Sequence, residues 1–172
     1  MTTDLTTDTA AVPIWRMIGG SALGYAVSTL IVVITTVVLA GVLGPDGVFE
    51  PGTYRSKPDF EYMNLGAGFA AAAIGGAVAW AMGRRIGVAI MLVAILVGGM
   101  LSGIMALRTQ SERTEPYEPR PEGSWVVAME RAEANSQRSA TYLLGMPVAG
   151  ALGVLAGAFA VSRVSRPKAP QA

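Results

Sequence analysis

Two pairs of carboxylates are the residues of this sequence that come nearest to a catalytic or metal-binding pattern. Asp59 and Glu61 are two positions apart, and Glu130 and Glu133 are three apart. Such a pair performs general acid–base chemistry when an apolar pocket raises the pKa of one member, and it binds Ca²⁺ when more oxygen ligands follow at fixed spacing. Both pairs lie in hydrophilic segments among Arg and Lys, and no such spacing follows them. The sequence therefore predicts no catalytic residue and no metal site.

The residue types that the chain lacks exclude most other membrane chemistry. Its 172 residues include no Cys and no His. Thiol redox relays and iron–sulfur clusters need cysteine, whereas typical zinc sites and Ser–His catalysis need histidine. We therefore expect no cofactor, and we expect that the protein is not an enzyme.

Four long apolar runs dominate the chain. Apolar residues make up 52% of it and charged residues 15%, whereas soluble domains carry about 25% charged residues. Each run reaches the roughly 20 residues that cross a bilayer, and none contains Asp, Glu, Lys or Arg. Backbone polar groups in lipid must be paired within the segment itself, which favours helices. The predicted spans are about 17–43, 62–82, 86–107 and 140–161.

These runs predict an all-α, polytopic membrane protein whose four transmembrane helices form a bundle. The transmembrane domain covers 14–162, with outer loops at 44–61 and 108–139 and with tails at 1–13 and 163–172. Helices of a soluble bundle carry a polar face, which these segments lack. The loop sequences EPGTYRSKP and EPYEPRP resemble each other, which has two explanations: two similar hairpins, or chance similarity of proline-rich loops.

The placement of basic residues predicts the orientation in the membrane. Arg84 and Arg85 occupy a very short turn between the second and third runs, Arg163 follows the fourth, and Arg16 precedes the first. All of these lie on one side if there are four spans. Lys and Arg close to the spans favour the cytoplasmic side. We therefore expect both termini in the cytoplasm.

Small residues recur along one face of each run and predict close packing between helices. Lipid tails are as apolar as Leu, so helices in a bilayer associate through close backbone approach, which Gly and Ala permit. The partner helix belongs either to this chain or to a neighbour. The positions are Gly20 and Gly24 in the first run, Gly68, Ala72 and Gly76 in the second, Gly99 and Gly103 in the third, and Gly145, Ala149, Gly153 and Gly157 in the fourth.

Three tryptophans lie near the predicted membrane interfaces. An indole there keeps its ring in an apolar environment and its N–H in water, so we interpret Trp15, Trp80 and Trp125 as interface anchors. Trp125 also begins a short amphipathic segment, within 124–139. This segment is either a docking surface or a solvated helix that shortens the loop.

Polar residues within the runs are the candidates for a transport path. They are Thr35, Thr36, Asn64, Ser102 and Thr141, with Asn64 close enough to the outer edge to reach the interface. Ion-coupled transporters normally keep an ionisable residue in the membrane, and these runs contain none. A transporter is therefore the alternative and not the leading hypothesis.

The motifs AAIGGAVAWAMGRR (72–85) and LLGMPVAGALGVLAG (143–157), with a lone Trp before the latter, give the chain a recognisable layout. It resembles a diffuse group of small four-helix bacterial membrane proteins without an assigned chemistry. The resemblance implies a bacterial inner membrane location and supplies no site residues.

The leading hypothesis for function is a non-catalytic accessory or scaffold subunit. Its partners would be the lipid bilayer and other membrane protein subunits, or a second copy of itself. The alternative is a small-molecule transporter or channel that uses the bundle interior. The net charge of +1 gives no basic field for nucleic acid, so we expect no nucleic-acid partner.

Overall fold

The computed structural model describes residues 12–111 and 135–164. No β-strand occurs in these two ranges, where only isolated bridges pair Phe49 with Ser56 and Arg55 with Gln137. The all-α prediction is confirmed for this part of the chain. Trp125, Glu130, Glu133 and most of the segment 124–139 lie outside the described residues. The elements are α1 (Ile14–Val48), α2 (Pro58–Val93), a π-helical segment (Ala94–Gly98), α3 (Gly99–Ser111) and α4 (Ala140–Val164).

Three helices are long and apolar enough to cross a membrane. They are Ile14–Val48, Pro58–Gln110 and Ala140–Val164, with 35, 53 and 25 residues. The second and third predicted spans thus belong to one helical run. Only Arg84 within α2 has non-helical backbone angles, with φ 55° and ψ −146°. The turn is so short that no loop separates the two spans.

The chain nevertheless reverses direction at Arg84. Residues 75 and 91 would lie about 24 Å apart in a continuous helix, at about 1.5 Å per residue. Instead, the Met91 Cε atom lies 2.9 Å from the place where a Cβ at Gly75 would be. Residues 58–83 (the outbound arm) and 85–111 (the return arm) therefore pack side by side.

The first outer connection is shorter than the predicted loop at 44–61. Helix α1 continues to Val48, although Gly44 interrupts it at φ 65°, and α2 begins at Pro58. Proline suits the first turn of a helix because its missing N–H would be unpaired there. The apolar residues at this end bury one another in a small core of Ala40, Val48, Phe49 and Phe60. The prediction overlooked this core because the segment is rich in turn-forming residues.

The outbound arm lies at the centre of the described helices. Helix α1 runs antiparallel to it, since Gly20 faces Met82 and Ser28 faces Ala71. Helix α4 packs against both arms of the reversed run. The main core combines residues of the two arms and α4: Ala72, Ala79, Val88, Met91, Val154 and Ala158.

The two ends of this assembly differ in charge. One end, which we call the basic end, carries Arg16, Arg84, Arg85 and Arg163. The opposite end, which we call the loop end, consists of residues 46–61 and 135–139 and holds all four carboxylates of the described residues. The arginines predicted close to the ends of the runs thus share one end, whereas Arg55, Lys57 and Arg138 lie among the carboxylates of the loop end.

Candidate functional site

Most small residues predicted for packing lie against another helix of this chain. A Cβ at Gly24 would lie 2.5 Å from the Gly75 carbonyl oxygen, and a Cβ at Gly103 would lie 2.8 Å from that of Leu143. The described helices therefore use these faces to pack with one another. The predicted packing residues that are buried are Gly20, Gly24, Gly68, Ala72, Gly76, Gly103, Gly153 and Gly157.

The tightest approach joins the outbound arm to α4. A Cβ at Gly76 would overlap the backbone of Val154, and a Cβ at Gly157 would overlap the backbone of Ala73. Because backbone atoms cannot move aside by a rotamer change, only glycine fits at these two positions. Gly153 makes a similar contact with Phe69.

Two of the predicted packing positions, both in α4, are less closely packed. Gly145 and Ala149 are half-buried, and a Cβ at Gly145 would make only an ordinary contact with Leu65, at 3.7 Å. Gly99 is half-buried too, but a Cβ there would lie 2.7 Å from Pro147 Cγ, so Gly99 packs closely against α4. The four-residue spacing predicted in α4 therefore matches the observed contact face only in its second half.

Gly20 and Gly24, both predicted for packing, lie in a second seam, where α1 meets both arms, but sequence reasoning missed the two serines of this seam. Ser21 Oγ lies 2.7 Å from the Gly87 carbonyl oxygen, and Ser28 Oγ lies 3.1 Å from that of Ala71. Each hydroxyl also lies within hydrogen-bonding distance of a carbonyl one turn back in α1. The seven-residue spacing of the two serines on one helix face was the available signal.

Asn64 is buried between two helices. Its side chain is 2% exposed, and its Oδ1 accepts a hydrogen bond of 3.0 Å from Thr36 Oγ1. Its Nδ2 has no partner among the described residues. The Thr36–Asn64 pair thus joins α1 to the outbound arm in a closely packed environment.

Glu61 is the buried carboxylate of the predicted pair, and it caps a helix. Its Oε1 accepts a hydrogen bond of 2.7 Å from the Ser139 backbone N–H, and its Oε2 accepts one of 2.5 Å from Ser139 Oγ. Ser139 Oγ in turn accepts the backbone N–H of Tyr142 at 3.0 Å. This is the geometry of a capping box, except that the carboxylate comes from α2. Asp59 is exposed, so the two carboxylates have different environments.

A groove of about 370 Å³ opens between the return arm and α4 near the loop end. The lining residues with polar side-chain atoms are Tyr25, Ser102, Arg138 and Tyr142. The Arg138 guanidinium lies over the Tyr142 ring and donates to its hydroxyl at 3.3 Å. Ser102 is therefore a predicted transport candidate that borders an open groove.

A larger groove of about 660 Å³ lies between the return arm and α4 at the basic end. Its walls are apolar, and its polar side chains are Arg85 and Ser162. The Arg163 guanidinium lies 4.3 Å from the centroid of the Phe159 ring, which forms part of the wall. The sequence indicated the arginines but not the groove, because the groove depends on which helices are neighbours.

The two tryptophans within the described residues differ in environment. Trp15 is 67% exposed and stands beside Arg16, as an interface anchor would. Trp80 is half-buried against the main core, and its Nε1 is buried without a partner in the described part of the chain. The expectation of a water-exposed N–H does not hold for Trp80.

The described residues contain no group of three acidic, His or Cys side chains that could hold a metal ion. Comparison with protein-family models, curated proteins and solved structures found no match, so the resemblance to small four-helix bacterial membrane proteins stays a prediction.

Proposed function

We propose that the chain crosses a bacterial inner membrane four times, with both termini in the cytoplasm. The supporting observation is the reversal at Arg84. A straight run from Pro58 to Gln110 would be about 80 Å long, whereas the hydrocarbon core is about 30 Å thick. Each arm is about 40 Å long, which is enough to cross the hydrocarbon core once. The basic end then lies on the cytoplasmic side.

Single cysteines test this topology, since the chain has none of its own. Thr53→Cys and Thr109→Cys, both at exposed positions, should react with a membrane-impermeant thiol reagent added outside intact cells. Val164→Cys should react only after the cells are opened. If 58–110 crossed the membrane once, Thr53→Cys and Thr109→Cys would react from opposite sides, and the four-span proposal would be wrong.

We further propose that the protein is a non-catalytic accessory subunit that packs against other membrane proteins or a second copy of itself. The carrying observation is the position of α1, which packs mainly on α2. Its outward face presents large apolar side chains such as Leu30, Val33 and Val37, which are 54–60% exposed. Because most of the predicted small residues pack within the chain, an apolar face such as this one is a surface that remains for a partner among the described residues.

Site-specific crosslinking tests the accessory role. A photoreactive residue at Val37 should give an adduct with the same protein that copurifies in mild detergent, or with a second copy. Leu152 of α4 is similarly exposed, at 55%, and a photoreactive residue there is the matched control. The proposal would be contradicted if the protein purified as a monomer without crosslinks at Val37. It would also be contradicted if Val37 and Leu152 gave the same yield of crosslinks.

The second candidate is a small-molecule transporter, and the groove beside Ser102 favours it. In that case Ser102→Cys, added to the labelling set above, should react with the impermeant reagent and be protected by a transported solute. If Ser102→Cys does not react with the reagent, the transporter proposal is wrong.

A further inference from the structure

We propose that the groove at the basic end binds one anionic phospholipid of the surrounding leaflet. An acyl chain lies along the apolar wall, and the phosphate lies between Arg85 and Arg163. The inference depends on the proposed membrane embedding but not on the accessory role.

The groove has the shape and polarity of a site for an acyl chain. Its apolar wall extends from Phe159 and Trp80 to Leu92 and Leu155. Positions 85 and 92 of the return arm are about 10 Å apart along the helix axis. Leu155 is 49% exposed and Phe159 is 57% exposed, so the groove opens sideways to the lipid. An occupant can therefore enter from the membrane without passing through the bundle.

The charges at the open end select an anion. Arg85 borders the groove, and Arg163 is held at its rim by the Phe159 ring. A guanidinium that stacks on an aromatic ring keeps its N–H edges available for a phosphate. All carboxylates of the described residues lie at the loop end, so none of them competes for these arginines. Basic pockets between helices on the cytoplasmic side are known to suit anionic headgroups.

A phospholipid fits better than the other conceivable occupants. A free anion would leave about 660 Å³ of apolar groove without a matching partner. A second copy in the same orientation would bring its own arginines against Arg85 and Arg163, and like charges repel. An anionic phospholipid satisfies both the apolar wall and the basic rim.

Lipid retention by the full chain tests the proposal. The protein is reconstituted in nanodiscs of equal phosphatidylglycerol and phosphatidylcholine, and the bound lipid is counted by native mass spectrometry after release in mild detergent. We expect one retained phosphatidylglycerol per chain. The double variant Arg85→Gln/Arg163→Gln should bind it about thirtyfold more weakly, because each basic side chain near an anionic surface contributes about 1 kcal/mol.

Matched variants separate the groove from general surface charge. Ala156 borders the groove and is exposed, so Ala156→Phe should block the acyl chain without disturbing the core. Ala160→Phe, one turn further on and outside the groove, should retain the lipid, as should Arg16→Gln on α1. Equal retention of the two lipids, unchanged retention by Ala156→Phe, or an equal loss with Arg16→Gln would overturn the proposal.

Discussion

Gly157→Ala is expected to lower the free energy of unfolding by about 3 kcal/mol, the upper part of the usual range for overpacking. The added methyl group would overlap the backbone of Ala73 in the outbound arm. Neither helix can relieve this overlap by changing a rotamer, so α4 and the outbound arm must separate. Separation also removes the close contacts that hold helices together in lipid. Thermal unfolding of the purified protein in detergent measures the effect, and Gly76→Leu should behave similarly because of Val154.

Gly66→Ala is the matched control for this prediction. Gly66 lies in the outbound arm, as Ala73 does, and a Cβ at Gly66 would have no neighbour within 4 Å. Alanine is a better helix former than glycine by about 1 kcal/mol, so Gly66→Ala should leave stability unchanged or raise it. If Gly157→Ala unfolds at the same temperature as the wild type, or if both variants lose the same stability, α4 does not approach Ala73 so closely.

The sequence predicted the helices well because lipid leaves the backbone few choices. An uncharged run of 20 residues must pair its own amide groups, so the positions of α1, both arms and α4 follow from composition. The pairing of helices does not follow in the same way. A small residue every four positions indicates a contact face, but the identity of the opposing helix depends on the whole bundle. Gly75 was therefore missed, because Gly24 and Ser28 of α1 and Met91 of the return arm meet it only in the assembled bundle.

The polar contacts were the least predictable part of the candidate sites. Asn64 and Glu61 were both interpreted as residues of the membrane interface or outer loops. Each is buried because its partner comes from a distant part of the sequence: Thr36 is 28 positions away, and Ser139 is 78 positions from Glu61. Local sequence contains no information about such partners. Arg85 was recognised as a charge that sets orientation, but its place beside a groove depends on α4.

Glu61→Ala is expected to destabilise the protein by about 3 kcal/mol, since hydrogen bonds to a charged group contribute about 1.5–3 kcal/mol each. The substitution removes the acceptor of both the Ser139 N–H and the Ser139 hydroxyl. The first turn of α4 would then lose its link to α2, because Ser139 caps that turn through Tyr142. Glu61→Gln keeps one carbonyl acceptor and should lose about half as much. Unfolding in detergent followed by circular dichroism measures these differences.

Asp59→Ala provides the control, because Asp59 lies in the same first turn of α2 but is exposed. Both carboxylates interact favourably with the helix dipole, an effect of about 0.3–1 kcal/mol. The difference between Glu61→Ala and Asp59→Ala therefore isolates the contact with Ser139. Ser139→Ala combined with Glu61→Ala should cost less than the sum of the two single losses, since both single variants lose the same contact between Glu61 and Ser139. Fully additive losses, or equal losses for Asp59→Ala and Glu61→Ala, would mean that Glu61 does not cap α4.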